Sequence, residues 1–220
     1  MAFPSLKALK LYGESPKPNP VKVLILLNEL SLPYEVETIP IAEVKSPYYT
    51  ALNPNGRIPA LHDPNTGITL WESGAIIEYL IEKYDTSHRL SFAPGTPEFY
   101  HAKQWLHFQM SGQGPYYGQM VWFIRYHEEK VPSAVERYVK EVNRVTGVLD
   151  GWLKKQKESH GEPWLVGGKL SYVDLAFIPW QRIAGLVVGK ELFDEDQYPF
   201  VKEWLGKIVS REGVKSAIEG

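Results

Sequence analysis

Cysteine is absent from the 220-residue chain. That excludes a disulfide framework, a zinc–thiolate site, a Cys-x-x-Cys redox pair and a cysteine nucleophile. Any sulfur chemistry performed here must use a thiol that arrives with a ligand. An excess of charge of one sign is also missing: 24 Lys and Arg stand against 26 Asp and Glu, a formal charge of −2, with no long basic run. This argues against nucleic acid or an acidic membrane surface as the main partner. No apolar stretch approaches the length of a membrane span. The first residues, MAFPSLKALKLYG, lack the apolar core and small-residue cleavage site of a signal peptide. A cytoplasmic protein is expected.

Several catalytic patterns are missing too. "GGKLS" lacks both the spacing of a phosphate loop and a hydroxyl directly after its lysine. "SGQGPYYG" follows no strand and lies in a helical stretch, so it is not a dinucleotide fingerprint. The six histidines show no metal-ligand spacing, and no metal is expected. A Gly-x-Ser-x-Gly elbow for a serine hydrolase does not occur. No internal repeat or low-complexity segment is seen.

What is present divides into two halves. Hydrophobic residues make up 44% of the chain, enough for a sizeable core without covalent staples. Lys7–Tyr12 (KALKLY) alternates as a half-buried strand does. Pro20–Leu30 (PVKVLILLNEL) is too uniformly apolar for periodicity to separate helix from strand. Its length, an Asn19 N-cap and Pro20 at the first helical position favour a helix. Tyr34–Ile39 reads as a strand, Pro47–Leu52 as a helical turn, and Ala60–His62 and Ile68–Trp71 as a hairpin around "DPNTG". Ser73–Tyr84 places Ile76, Ile77, Leu80, Ile81 and Tyr84 on one helical face. The order is βαβ followed by ββα.

Asp85–Pro97 breaks every periodicity and reads as a linker, after which the chain looks helical. Ala134–Leu153 carries the apolar stripe of a long amphipathic helix. Ser171 and Asp174 stand at capping-box spacing, with Leu170 and Leu175 placed for a hydrophobic staple. The expected domains are residues 1–84, a linker at 85–97 and an all-α domain over 98–220.

Three stretches, "NPNGRIPAL", "WESGAIIEYL" and "WLVGGKLSYVDLAFIPW", resemble the cytosolic glutathione transferases. "KPNPVKV", "QMSGQGPYYGQ" and "PSAVERYVKEVNRVTGVLD" narrow the resemblance to a fungal class. That class is related to a yeast nitrogen-catabolite repressor and to bacterial disulfide-reducing proteins. The resemblance spans nearly the whole chain. It implies a thioredoxin-like α/β N-terminal domain (βαβ-ββα) ahead of an all-α C-terminal domain, the glutathione transferase architecture. It also implies glutathione as co-substrate, a homodimer, and a hydrophobic electrophile, disulfide or peroxide as second substrate.

Residue by residue, the resemblance makes Pro59 a cis-proline. The N–H and C=O of Ile58 would then pair with the cysteinyl backbone of glutathione as a neighbouring strand does. Ser73, opening a helix whose first N–H groups lack partners, suits the γ-glutamyl carboxylate, and Glu72 suits the ammonium beside it. Arg57 is assigned to the glycyl carboxylate, with a solvated arginine as its rival; His62 is either a supporting residue or simply exposed.

Asn19, in the "Pro-Asn" pair Pro18–Asn19, is the candidate catalytic residue beside the sulfur. A thiol with a pKa of about 8.5 is only a few per cent ionised at neutral pH. An amide donor at a helix N-terminus lowers it by stabilising the thiolate, at about 1.4 kcal/mol per unit. Capping the helix competes for the same side chain. Lys17 and Pro20 depart from the class pattern, where a small residue and a glycine are common. Ser15 and Tyr12 are the other nearby hydroxyls.

Tyr116, Tyr117, Gln119 and Trp122 are assigned to a second-substrate pocket between the domains, against the alternative of core or subunit interface. Arg137 matches a glutathione contact of the class, with an ion pair to Glu141 four residues on as the rival. The function so implied is glutathione conjugation, or reduction of disulfides or peroxides with glutathione. The alternatives are a regulatory binding protein like the yeast repressor and, less favoured, a carrier of apolar metabolites.

Overall fold

The computed structural model describes residues 6–13 and 16–219. The chain forms two compact units, one running up to Ser87 and rejoined by the segment from Arg211, the other spanning His88–Ser210. Among the described residues no helix is long and apolar enough to cross a membrane.

The first unit contains strands β1 (Leu9–Gly13), β2 (Tyr34–Thr38), β3 (Ala60–Asp63) and β4 (Ile68–Trp71), in spatial order β2-β1-β3-β4. β1 and β2 are parallel, with Leu11 opposite Val36; β3 runs antiparallel to both β1 and β4. Helices α1 (Pro18–Glu29), α2 (Pro47–Leu52) and α3 (Ser73–Tyr84) complete the expected βαβ-ββα order. The parallel pair needs a crossover helix, and α1 supplies it. All five residues on the expected face of α3 are buried.

α1 explains why its periodicity was mute. Every residue from Val21 to Leu27 is buried, because α1 packs against β1, α3 and a last helix, α9 (Glu212–Glu219). Burial of Ile25 or Leu27 contributes about 2–3 kcal/mol each. Arg211 grips the carboxylate of Glu29 with two bonds of 3.0 and 2.6 Å, and Asn28 donates to the Gly213 carbonyl. The final helix thus belongs with the α/β unit.

One expectation at α1 fails. Asn19 is the second residue of the helix, and Lys17 stands at the N-cap without a side-chain bond. Proline lacks an N–H and has a fixed φ, so Pro18 suits the first helical position as well as Pro20 does. It also drives the preceding Lys17 into its extended conformation, with ψ 136°.

The second unit is helical: α4 (Pro97–Phe108), α5 (Gly114–Arg125), α6 (Pro132–His160), α7 (Tyr172–Val187) and α8 (Pro199–Val209). A single π turn, Gln109–Gln113, joins α4 to α5. The capping box at the start of α7 is present: Asp174 accepts from the Ser171 N–H at 2.9 Å and its hydroxyl at 2.8 Å. The same buried carboxylate also accepts from the Leu165 N–H and the Trp204 indole, at 2.9 and 3.0 Å. One short acid therefore ties a loop, a helix start and α8 together. Burial lifts its pKa to about 6 against the pull of those four donors.

Candidate glutathione site

The segment before Pro59 is held by two side chains that sequence reading passed over. Buried Tyr49 and Asn53 both donate to the Arg57 carbonyl, at 2.8 and 2.5 Å. Asn53 also accepts from the Asn55 N–H at 3.0 Å, closing the turn on itself. Gly56 sits at φ 59°, where a side chain would also strike the Val44 carbonyl at 2.7 Å. Burial pushes the Tyr49 hydroxyl up to about 12, so it remains a donor at any ordinary pH.

The Ile58–Pro59 peptide is cis. β3 begins at the next residue, Ala60, so the proline occupies no ladder position. Ile58 is half-buried and its backbone joins none of the described hydrogen bonds, while Arg57 is exposed.

Gly13 brings the start of α1 to this turn. A Cβ on Gly13 would lie 3.0 Å from the Pro20 Cβ and 4.0 Å from that of Pro59. Gly13 therefore lies close to both the first turn of α1 and the cis-proline. Because both Pro18 and Pro20 lack an N–H, the backbone and side-chain amides of Asn19 are the N–H donors of the first three helical residues. Asn19 itself is half-buried. Tyr12 ends against an apolar cluster with Ile39, Val44, Tyr49 and Ala60 and is 7% exposed. Ser15 lies outside the described residues.

Glu72 and Ser73 stand where β4 turns into α3. Glu72 holds φ 70° and ψ 115°, a conformation that costs an L-residue of order 1–3 kcal/mol. This strain leaves Glu72 exposed while Ser73 is buried at the head of the helix. Beneath them lies Lys22 of α1, 1% exposed, its Nζ donating to Ser73 Oγ at 3.4 Å. Burial lowers its pKa to about 7, opposed by the charge of Glu72. The signal for Lys22 was a lone cation inside an otherwise apolar run. His62 is half-exposed and bonds Thr69 at 2.9 Å.

The remaining candidates lie in the helical unit. Arg137 is exposed and pairs with Glu141 at 2.8 Å, as does Arg144 from the other side. Tyr116 is half-buried against Tyr138, with ring centroids 6.5 Å apart; Gln119 and Trp122 are exposed. Tyr117 corrects the sequence reading. It is fully buried, with its hydroxyl 2.8 Å from Thr146 Oγ1 and donating to Gln181 Oε1 at 3.2 Å. Gln109 and Gln113 of the π turn extend that chain to Gln181. The ring is core because this face of α5 packs against α6 and α7. An open apolar groove of about 810 Å³ in this unit is lined by Phe123, Val131, Val135, Val139 and Leu192, and by none of the four assigned residues. Among the described residues no three acidic or imidazole side chains gather as metal ligands would.

Comparison with known proteins bears on the family of the chain. Residues 18–83 match the glutathione S-transferase N-terminal domain, and residues 115–212 match the C-terminal domain. The glutathione S-transferase-like protein tpcF of Aspergillus fumigatus is 54% identical, covering 98% of this chain and 97% of that protein. Protein URE2 of Saccharomyces bayanus is 32% identical over 98% of this chain and 70% of its own length. The structure of the glutathione transferase URE2P6 from Phanerochaete chrysosporium, in complex with oxidised glutathione, superposes with a TM-score of 0.89. It is 46% identical and covers 97% of this chain and 96% of that one. The thioredoxin-like first unit, the helical second unit and these matches place the chain in the glutathione S-transferase family, in its fungal URE2-like class.

Proposed function

We propose that this protein is a cytoplasmic, homodimeric enzyme that binds glutathione on its α/β unit and delivers the thiolate to a second substrate. The observation that carries the reading is the Glu72–Ser73 corner. A strained backbone presents an exposed carboxylate directly beside a buried hydroxyl at a helix N-terminus. An acid next to an anion hole matches the ammonium and carboxylate of one amino-acid head group. A merely structural corner has no need of that pairing at the cost of strain.

On this reading Ser73 takes the γ-glutamyl carboxylate and Glu72 the ammonium. The Ile58 N–H and C=O pair with the cysteinyl residue, held in place by the grip of Tyr49 and Asn53 on the neighbouring carbonyl. Arg57 takes the glycyl carboxylate, and Arg137 is a further glutathione contact. The sulfur then lies at the start of α1, where Asn19 donates to it and favours the thiolate. Tyr116, Gln119 and Trp122 supply aromatic and polar surface to a hydrophobic second substrate.

Two reactions fit. The thiolate attacks an electrophilic carbon and forms a thioether, or it attacks a disulfide or peroxide. With no protein cysteine, reduction consumes two glutathione molecules and yields oxidised glutathione. The structural likeness to URE2P6 with oxidised glutathione supports the second route. The likeness to URE2 proteins supports a rival reading, a regulatory binding protein on the same fold.

Calorimetric titration with reduced and then oxidised glutathione tests the reading. Tighter binding of the oxidised form points to disulfide reduction; binding of the reduced form alone points to conjugation. No binding of either at millimolar concentration would remove the enzyme reading and leave the regulatory one.

A further inference from the structure

Lys22 has no part in the reading above, yet it is the one cation sealed inside the apolar run of α1. Enclosing a charge costs several kcal/mol unless a partner compensates. Two groups of the candidate site face it: Ser73 Oγ at 3.4 Å and the charge of Glu72. An ammonium has three donors and no acceptor. In this pair Ser73 Oγ must accept, and its own proton is directed elsewhere.

We propose that Lys22 is a positioning residue for glutathione: by donating to Ser73 Oγ it turns the hydroxyl proton toward the γ-glutamyl α-carboxylate and sets a positive charge behind the α3 N-terminus. The proposal rests on the glutathione reading and deepens it. A helix N-terminus contributes only about half an elementary charge. A buried ammonium supplements it without contacting the ligand, and low surrounding dielectric strengthens the effect.

Glu72, at the N-cap of α3, carries a charge that acts on Lys22. Between α1 and α9, Glu29 and Arg211 bond each other, seven residues or roughly 10 Å along the helix from Lys22. On the sheet, Asp63 is engaged by Tyr79 and Tyr84, and Lys10 by Glu37.

The test uses two ligands whose thiol is blocked by methylation: S-methylglutathione, and its analogue with 4-aminobutyryl in place of γ-glutamyl. The pair differs only in the α-carboxylate. Lys22→Met is expected to weaken the intact ligand about tenfold, equivalent to about 1.4 kcal/mol, and the analogue little. The preference for the carboxylate then shrinks by the same factor. A space-filling lysine would change thermal stability but leave that ratio untouched, and an unchanged ratio overturns the proposal while glutathione binding stands. If the wild type binds neither ligand, the glutathione reading falls and takes the proposal with it.

Should Lys22→Met fail to fold, the wild-type protein alone decides. Lys22 titrates near 7, whereas the blocked ligand has no group that does. From about pH 6 to pH 8.5 the affinity for S-methylglutathione should fall several-fold as the ammonium is lost, and that for the analogue should stay level. A level profile for both overturns the proposal.

Discussion

Asp174 offers the most demanding test of how the helical unit holds together. Replacing it with alanine strands three buried N–H groups, those of Leu165, Ser171 and the Trp204 indole. Each unpaired buried donor costs roughly 1–2 kcal/mol at this level of burial, so the loss is about 4 kcal/mol at pH 5, where the folded acid is mostly neutral. The native pKa of about 6 is raised from 3.8. Native protein therefore binds more protons than unfolded protein between those values. The group's protonation stabilises the fold below about pH 4, and that stability is lost as pH rises through 6. Linkage gives about 1 kcal/mol more stability at pH 5 than at pH 7 from this group alone. Asp174→Ala should cost about 4 kcal/mol at pH 5 and about 3 kcal/mol at pH 7. Urea unfolding of both proteins at both pH values measures this, and the other carboxylates cancel in the difference. A loss under about 1 kcal/mol, or one equal at the two pH values, would mean that the donors find other partners or that the acid is not perturbed.

Three further outcomes are expected. Tyr117→Phe should lower stability by about 1–2 kcal/mol and leave the KM for the second substrate unchanged, since its hydroxyl serves Thr146 and Gln181 in the core; a several-fold KM change with full stability would return it to a substrate pocket. Glu72→Gly should raise stability by up to about 1 kcal/mol by relieving φ 70°, and abolish glutathione binding in calorimetry; retained affinity would free Glu72 of its role. Asn19→Ala should raise the pKa of bound glutathione by about one unit, read from the thiolate's ultraviolet absorbance against pH; an unchanged pKa would remove the residue from the sulfur.

Local patterns in the sequence determined most of the elements. Alternation marked β1, the stripe of apolar residues marked α3 and α6, and the Ser171–Asp174 spacing marked the start of α7, because each depends on neighbours a few residues apart. The absence of cysteine settled that any thiol must come with a ligand. The motif around Pro59 and Ser73 named the residues assigned to the candidate site.

Tertiary structure decided the rest, wherever contact joins residues far apart in the chain. The sequence favoured Pro20 behind an Asn19 cap, but Pro18 opens α1, because both prolines satisfy the same local rule. Tyr117 looked like a pocket aromatic until the π turn and the distant Gln181 enclosed it, 64 residues away. The last helix proved to cover α1 through Arg211 and Glu29, 182 residues apart. Lys22 looked like an interruption in a hydrophobic run; only the packing of α1 beneath α3 set its ammonium against Ser73, 51 residues on. Propensity and capping act within a turn or two, whereas burial and the partner of a buried charge are properties of the assembled fold.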